Sequence, residues 1–126
     1  MIIQACIANT HEISNPGIES FTLNDLLTMS NTAAGIPVTR EFRTDTTIGV
    51  VCSAFVKSNL LIANIELFYE VKPKPNSSLF IVPGVILSET KKVLRIFECS
   101  LTERPAMPGL TPVSTHAHSV GGKNDN

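Results

Sequence analysis

A chain of 126 residues and 13.6 kDa suits one domain with a modest core. With 43% apolar residues, 17% charged residues and a formal net charge of -1, it has neither the basic footprint expected for nucleic acid nor a polybasic membrane signal. Its apolar runs fall well short of the ~20 residues a membrane-spanning helix needs.

The opening "MIIQACIANTHE" has no basic leader, so no signal peptide is expected, and residues 2–8 read as a strand. "NTHEISNPG" (9–17) reads as a polar loop with a turn at Asn15-Pro16-Gly17. A helix is predicted to open at Thr22, an acceptable N-cap, with Asp25 near the positive end of the dipole. Leu23, Leu26 and Leu27 supply its apolar stripe, and Gly35 and Pro37 end it.

"TIGVVCSAFVKSNLLIANIELFYEV" (47–71) is the clearest signal. Two β-rich runs flank Ser58-Asn59, which predicts a tight hairpin. Ile48, Val50, Cys52, Ala54 and Val56 are placed on one face of its first strand. Gly49, Val51, Ser53, Phe55 and Lys57 are placed on the other. Both faces are largely apolar, which predicts cover on both sides.

"KPKPNSS" (72–78) reads as a stiff connection, "LFIVPGVIL" as a strand broken at Pro83-Gly84, and "SETKK" as a turn into a strand over 93–101. From Pro105 onward Pro, Gly and Ser accumulate. The predicted organisation is therefore a β-rich domain over 1–104 and an extended C-terminal arm over 105–126. The fold class is α+β, mostly antiparallel β, with a small barrel-like sheet and one helix.

Cys6, Cys52 and Cys99 are odd in number, widely spaced and embedded in apolar runs. They read as small buried hydrophobes in a reducing compartment. His116 and His118 form a His-x-His pair with no third ligand in sight, so no metal and no other cofactor is implied. A nucleophile needs a base in reach. The candidates, were the protein an enzyme, are Ser77 and Ser78 with His11, the one histidine in the body of the chain. Ser53 and Ser100 read as strand residues, and no G-x-S-x-G step occurs.

Three segments in order, "GIPVTREF", "IGVVCSAFVKSNLLIANIEL" and "ECSLTERPAMPG", resemble the prohead (capsid-maturation) proteases of tailed bacteriophages. The matching residues are Gly35, Pro37, Val38, Ile48, Gly49, Val51, Leu61, Ala63, Ile65, Ser100, Leu101, Thr102, Pro105 and Ala106, spread over roughly residues 30–110. The resemblance implies a fold like that of herpesvirus assembly proteases, which use a serine nucleophile and a histidine base. The histidine would be sought just before "IGVV". That segment here is "TREFRTDTT" (39–47), with Phe42 and Arg43 where the base would stand. Arginine stays protonated and phenylalanine has no proton to exchange.

The expectation is a non-enzymatic phage head protein that decorates or helps assemble the capsid, present in the virion and the host cytoplasm. Its partners would be the major capsid protein or other copies of itself, with neither nucleic acid nor membrane involved. Met107, Leu110, Val113 and Val120 are its expected contact residues, on the arm. The alternatives are an active capsid-maturation serine protease and a small phage-encoded inhibitor of a host protein. "SLTERPA" itself reads as a structural exit: Thr102 bonds the local backbone and Pro105 forces the chain out of the sheet.

Overall fold

The computed structural model describes residues 1–15, 18–72, 75–105, 107, 109–110 and 112–113. In chain order the elements are β1 (Ile2–Asn9), β2 (Glu12–Asn15), β3 (Ile18–Ser20), α1 (Leu23–Thr32), β4 (Pro37–Arg40), β5 (Arg43–Lys57), β6 (Leu60–Leu67), β7 (Phe80–Leu87) and β8 (Val93–Thr102). Six strands form one curled half-barrel sheet in the order β1-β6-β5-β4-β8-β7. All its pairings are antiparallel except that of β4 with β8. The polar loop predicted after β1 is a small hairpin, β2–β3. Its Pro16-Gly17 turn lies outside the described residues.

The helix follows its sequence signals. Thr22 Oγ1 accepts from Asp25 N–H at 3.1 Å, and Asp25 Oδ2 accepts from Thr22 N–H at 3.0 Å, a complete capping box. Gly35, at φ +88, redirects the chain after the last turn. The buried face is Leu26, Met29 and Ala33, while Leu23 and Leu27 are exposed, so the predicted stripe is rotated by part of a turn. The reason is how α1 docks on the sheet. Asp25 Oδ1 accepts from Val93 N–H at 3.0 Å and Thr32 Oγ1 accepts from Ile96 N–H at 3.1 Å, so both ends of α1 are tied to β8.

The 47–71 hairpin forms around Ser58-Asn59, with Ser58 at φ +57. Cover on both sides does not hold: Cys52, Ser53 and Phe55 are exposed. A bulge lies between Val51 and Ser53, opposite Ile65 and Asn64. The extra residue, Cys52, shifts the alternation. Core-facing residues are Gly49 and Val51 before the bulge and Ala54 and Val56 after it, paired with Leu67, Ile65, Ala63 and Leu61. Gly49 is required by close approach. A Cβ there would stand 2.5 Å from the carbonyl oxygen of Glu66.

The arm departs from expectation as well. Met107 and Leu110 are buried with the core and Val113 packs against it. Met107 Sδ accepts from Asn9 N–H at 3.2 Å, and Val113 N–H donates to the Leu79 carbonyl at 2.7 Å. Met107 and Val113 thus tie this segment to the end of β1 and to the approach of β7. Val120 lies outside the described residues, as do His116 and His118.

Candidate functional site

Among the described residues, the β4–β5 connection is where two successive non-glycine residues take positive φ. Arg40 pairs with Arg43, leaving Glu41-Phe42 as a two-residue turn. Both turn residues are left-handed, at φ +49 and +60. Two successive positive φ values describe a type I′ turn, which normally calls for Asn-Gly because neither residue bears a bulky β-carbon substituent. Each non-glycine residue held there costs about 1–3 kcal/mol.

Buried polar groups on β8 hold the turn. Phe42 N–H donates to Ser100 Oγ at 2.7 Å, and Glu41 N–H donates to the Leu101 carbonyl at 2.9 Å. The Glu41 carboxylate accepts from Thr102 Oγ1 at 2.9 Å and from Glu103 N–H at 3.2 Å. Thr102 Oγ1 also accepts from Arg104 N–H at 3.1 Å, the local bond expected where the strand ends. Beneath lie Thr39 and Glu98, with Thr39 Oγ1 donating to Glu98 Oε1 at 3.3 Å. Thr39, Glu98, Ser100 and Thr102 are all buried. At about 0.5–1.5 kcal/mol each, the bonds to the turn are of the size needed to offset its strain.

What this arrangement presents is the Phe42 ring, 51% exposed. Charged residues flank the turn in sequence, and two of them are paired: Arg40 lies 4.0 Å from Glu103 and Arg43 lies 3.7 Å from Asp45. The Arg40–Glu103 pair is half-buried, while Arg43–Asp45 is solvated and contributes little to stability. An exposed aromatic ring on a hydrogen-bonded apex flanked by charged residues has the composition of a binding anchor.

The sequence-derived candidates lie elsewhere. His11 follows β1, exposed. Its N–H donates to Asn9 Oδ1 at 2.9 Å, and its ring lies against Gly109, where a Cβ would be 3.1 Å from His11 Cδ2. Ser77 is half-buried and Ser78 exposed, in the connection before β7. Among the described residues no hydrogen bond joins His11 to either serine. Met107 and Leu110, expected as partner contacts, are turned into the chain's own core. Val113 is half-buried.

The Cys99 thiol is pushed up to about 12, first by burial and then by the neighbouring Glu98 carboxylate. Burial also raises the Cys6 thiol. Neither offers a thiolate at neutral pH. Cys52, expected to be buried, is exposed at the β5 bulge. Among the described residues no three His, Cys, Asp or Glu side chains gather as a metal site, and no helix is long and apolar enough to cross a membrane.

The residues that carry the phage-protease resemblance fall together. Pro37 and Val38 lie on β4, Ile48, Gly49 and Val51 on β5, Leu61, Ala63 and Ile65 on β6, and Ser100, Leu101 and Thr102 on β8. These are four adjacent strands of the sheet. Most of the residues are buried, and their work is to build the scaffold. Sequence reasoning noticed Phe42 only as a missing histidine. The signal it lacked was the two-residue step in "TREFRT", hidden because neither Glu41 nor Phe42 is a turn former.

The chain matches no protein-family model, no curated protein and no solved structure.

Proposed function

We propose that the protein is a non-enzymatic head component of a tailed bacteriophage, which binds the major capsid protein through the β4–β5 turn. The observation that carries the binding role is the left-handed Glu41-Phe42 pair, locked by Ser100 and Thr102 and presenting an exposed ring. Strain of this kind persists only where surrounding structure enforces it, and it concentrates at functional positions. The phage setting rests on the ordered segments "GIPV", "IGVV" and "SLTERPA".

The role of Phe42 follows from its chemistry. A rigid aromatic ring enters an apolar pocket with little entropy left to lose, because the turn is ordered before contact. Arg40, Arg43 and Glu103 form the polar rim that sets orientation.

The test is the protein's fate in particles. A capsid-bound component stays in the mature head at a fixed copy number per capsid subunit, and quantitative mass spectrometry of purified particles should find it there. Loss from mature particles contradicts the reading. Specific cleavage of scaffold or capsid protein that disappears in Ser77→Ala or Ser78→Ala, and also in His11→Ala, replaces it with the protease reading.

A further inference from the structure

The turn that presents Phe42 and the exit from β8 are joined through one hydroxyl. Thr102 Oγ1 donates to the Glu41 carboxylate at 2.9 Å and accepts from Arg104 N–H at 3.1 Å. The same carboxylate accepts from Glu103 N–H at 3.2 Å. Buried Thr102 therefore sets both Glu41, the neighbour of Phe42, and the backbone of Arg104. Pro105 follows, and a proline disfavours helical backbone in the residue before it. Arg104 thus leaves the strand with its backbone constrained from both sides.

Three arginines stand at this end of the sheet, and two are paired. Arg40 lies 4.0 Å from Glu103 and Arg43 lies 3.7 Å from Asp45. The third acid, Glu41, is turned onto Thr102 and the Glu103 N–H. Arg104 is exposed, and among the described residues its guanidinium meets neither a carboxylate nor another acceptor. That head is a planar fork of donors, always charged, which a carboxylate matches in bidentate fashion. It is also more weakly hydrated than an ammonium, so a contact costs it less water.

We propose that Arg104 is a second contact of the Phe42 site and takes a carboxylate, an Asp or Glu of the capsid surface beside the apolar pocket that receives the ring. This rests on the reading of Phe42 as the capsid anchor. Aromatic and arginine side chains are the types that dominate binding energy in interfaces. Here the two stand on one hydrogen-bonded unit, so little backbone order is left to gain on contact. The ring supplies apolar area and the guanidinium supplies orientation, because an apolar pocket without a carboxylate beside it leaves the charge unmatched.

Co-sedimentation with capsids of the protein's own source, over a series of salt concentrations, tests it. The chains compared are wild type, Phe42→Ala, Arg104→Gln and Arg95→Gln. Arg95 is exposed near the other end of β8, so its variant makes the same charge change away from the turn. Arg104→Gln should melt like wild type, bind about tenfold more weakly at low salt and lose affinity less steeply as salt rises. Arg95→Gln should bind like wild type. If Phe42→Ala is weakened but Arg104→Gln binds like wild type, the carboxylate contact is overturned and the anchor stands. Equal losses in Arg104→Gln and Arg95→Gln overturn it too, since net charge alone is then felt. So does a weakened Arg104→Gln with the salt dependence of wild type, which makes the residue merely structural. Wild-type binding by Phe42→Ala, or no binding by wild type, removes the anchor and this contact with it.

Discussion

The backbone N–H of Phe42 donates to the hydroxyl of Ser100 across 2.7 Å, joining the β4–β5 turn to a fully buried position on β8, between β4 and β7 in the sheet. The bond is what a residue with a bulky side chain needs to remain left-handed. It also links a scaffold residue of "SLTERPA" to the exposed ring 58 positions earlier.

Removing the acceptor should therefore loosen the apex. Ser100→Ala deletes the bond and is expected to cost about 1 kcal/mol in urea unfolding. Phe42→Gly should do the reverse. Its ring is largely solvated, and glycine accepts φ +60 without strain, so a gain of about 0.5–1 kcal/mol is expected. A destabilised Phe42→Gly would show that the ring packs on the fold after all.

Val51 is completely buried on the core side of the β5 bulge. Val51→Asp would place a charge without a partner there, at a cost of several kcal/mol. Melting curves should show loss of the cooperative transition or a large drop in its midpoint. Normal melting would contradict the assigned register.

Truncation after Ala106 should lower stability. The cut removes buried Met107 and Leu110 and the Val113 bond to Leu79. Leu110→Ala alone is expected to cost about 2 kcal/mol, at the low end for a leucine near the rim of the core. An unchanged melting temperature in the truncated chain would mean that the segment is only a solvated tail.

Stability should fall in alkali. The folded Cys99 thiol is raised to about 12 from an ordinary 9.0, so between those values the unfolded chain has lost its proton while the folded chain keeps it. The folded state then binds more protons, and stability declines as pH rises through that window, by about 1.4 kcal/mol per unit at most. Cys6, raised for the same reason, adds in the same direction. Cys99→Ala should flatten the decline between pH 9 and 12, measured against its own stability at pH 7. A decline as steep as wild type would remove Cys99 from the account.

Much of the fold was legible because its signals are local. Thr22 as N-cap with Asp25 in the first turn, Gly35 at the helix exit and the Ser58-Asn59 step each act within a few residues. The failures were long-range. One extra residue at Cys52 turns the predicted faces of β5 over, and periodicity cannot foresee a bulge that the facing strand imposes. Met107 and Leu110 looked like a free arm because burial over a barrel seam leaves no periodic trace. The turn at Glu41-Phe42 was illegible because its stability comes from Ser100 and Thr102, about 60 residues away and holding a conformation that the local sequence disfavours.

The central claim is that Phe42 is the anchor by which the protein holds the capsid, and one binding measurement tests it most directly. Wild-type and Phe42→Ala chains would be titrated onto capsids of the protein's own source, with bound protein read by co-sedimentation. The account predicts that Phe42→Ala melts like wild type, because an exposed ring is lost, yet binds at least about tenfold more weakly, the loss expected of an anchor residue worth more than 1 kcal/mol. Wild-type affinity in a correctly folded Phe42→Ala chain would contradict it.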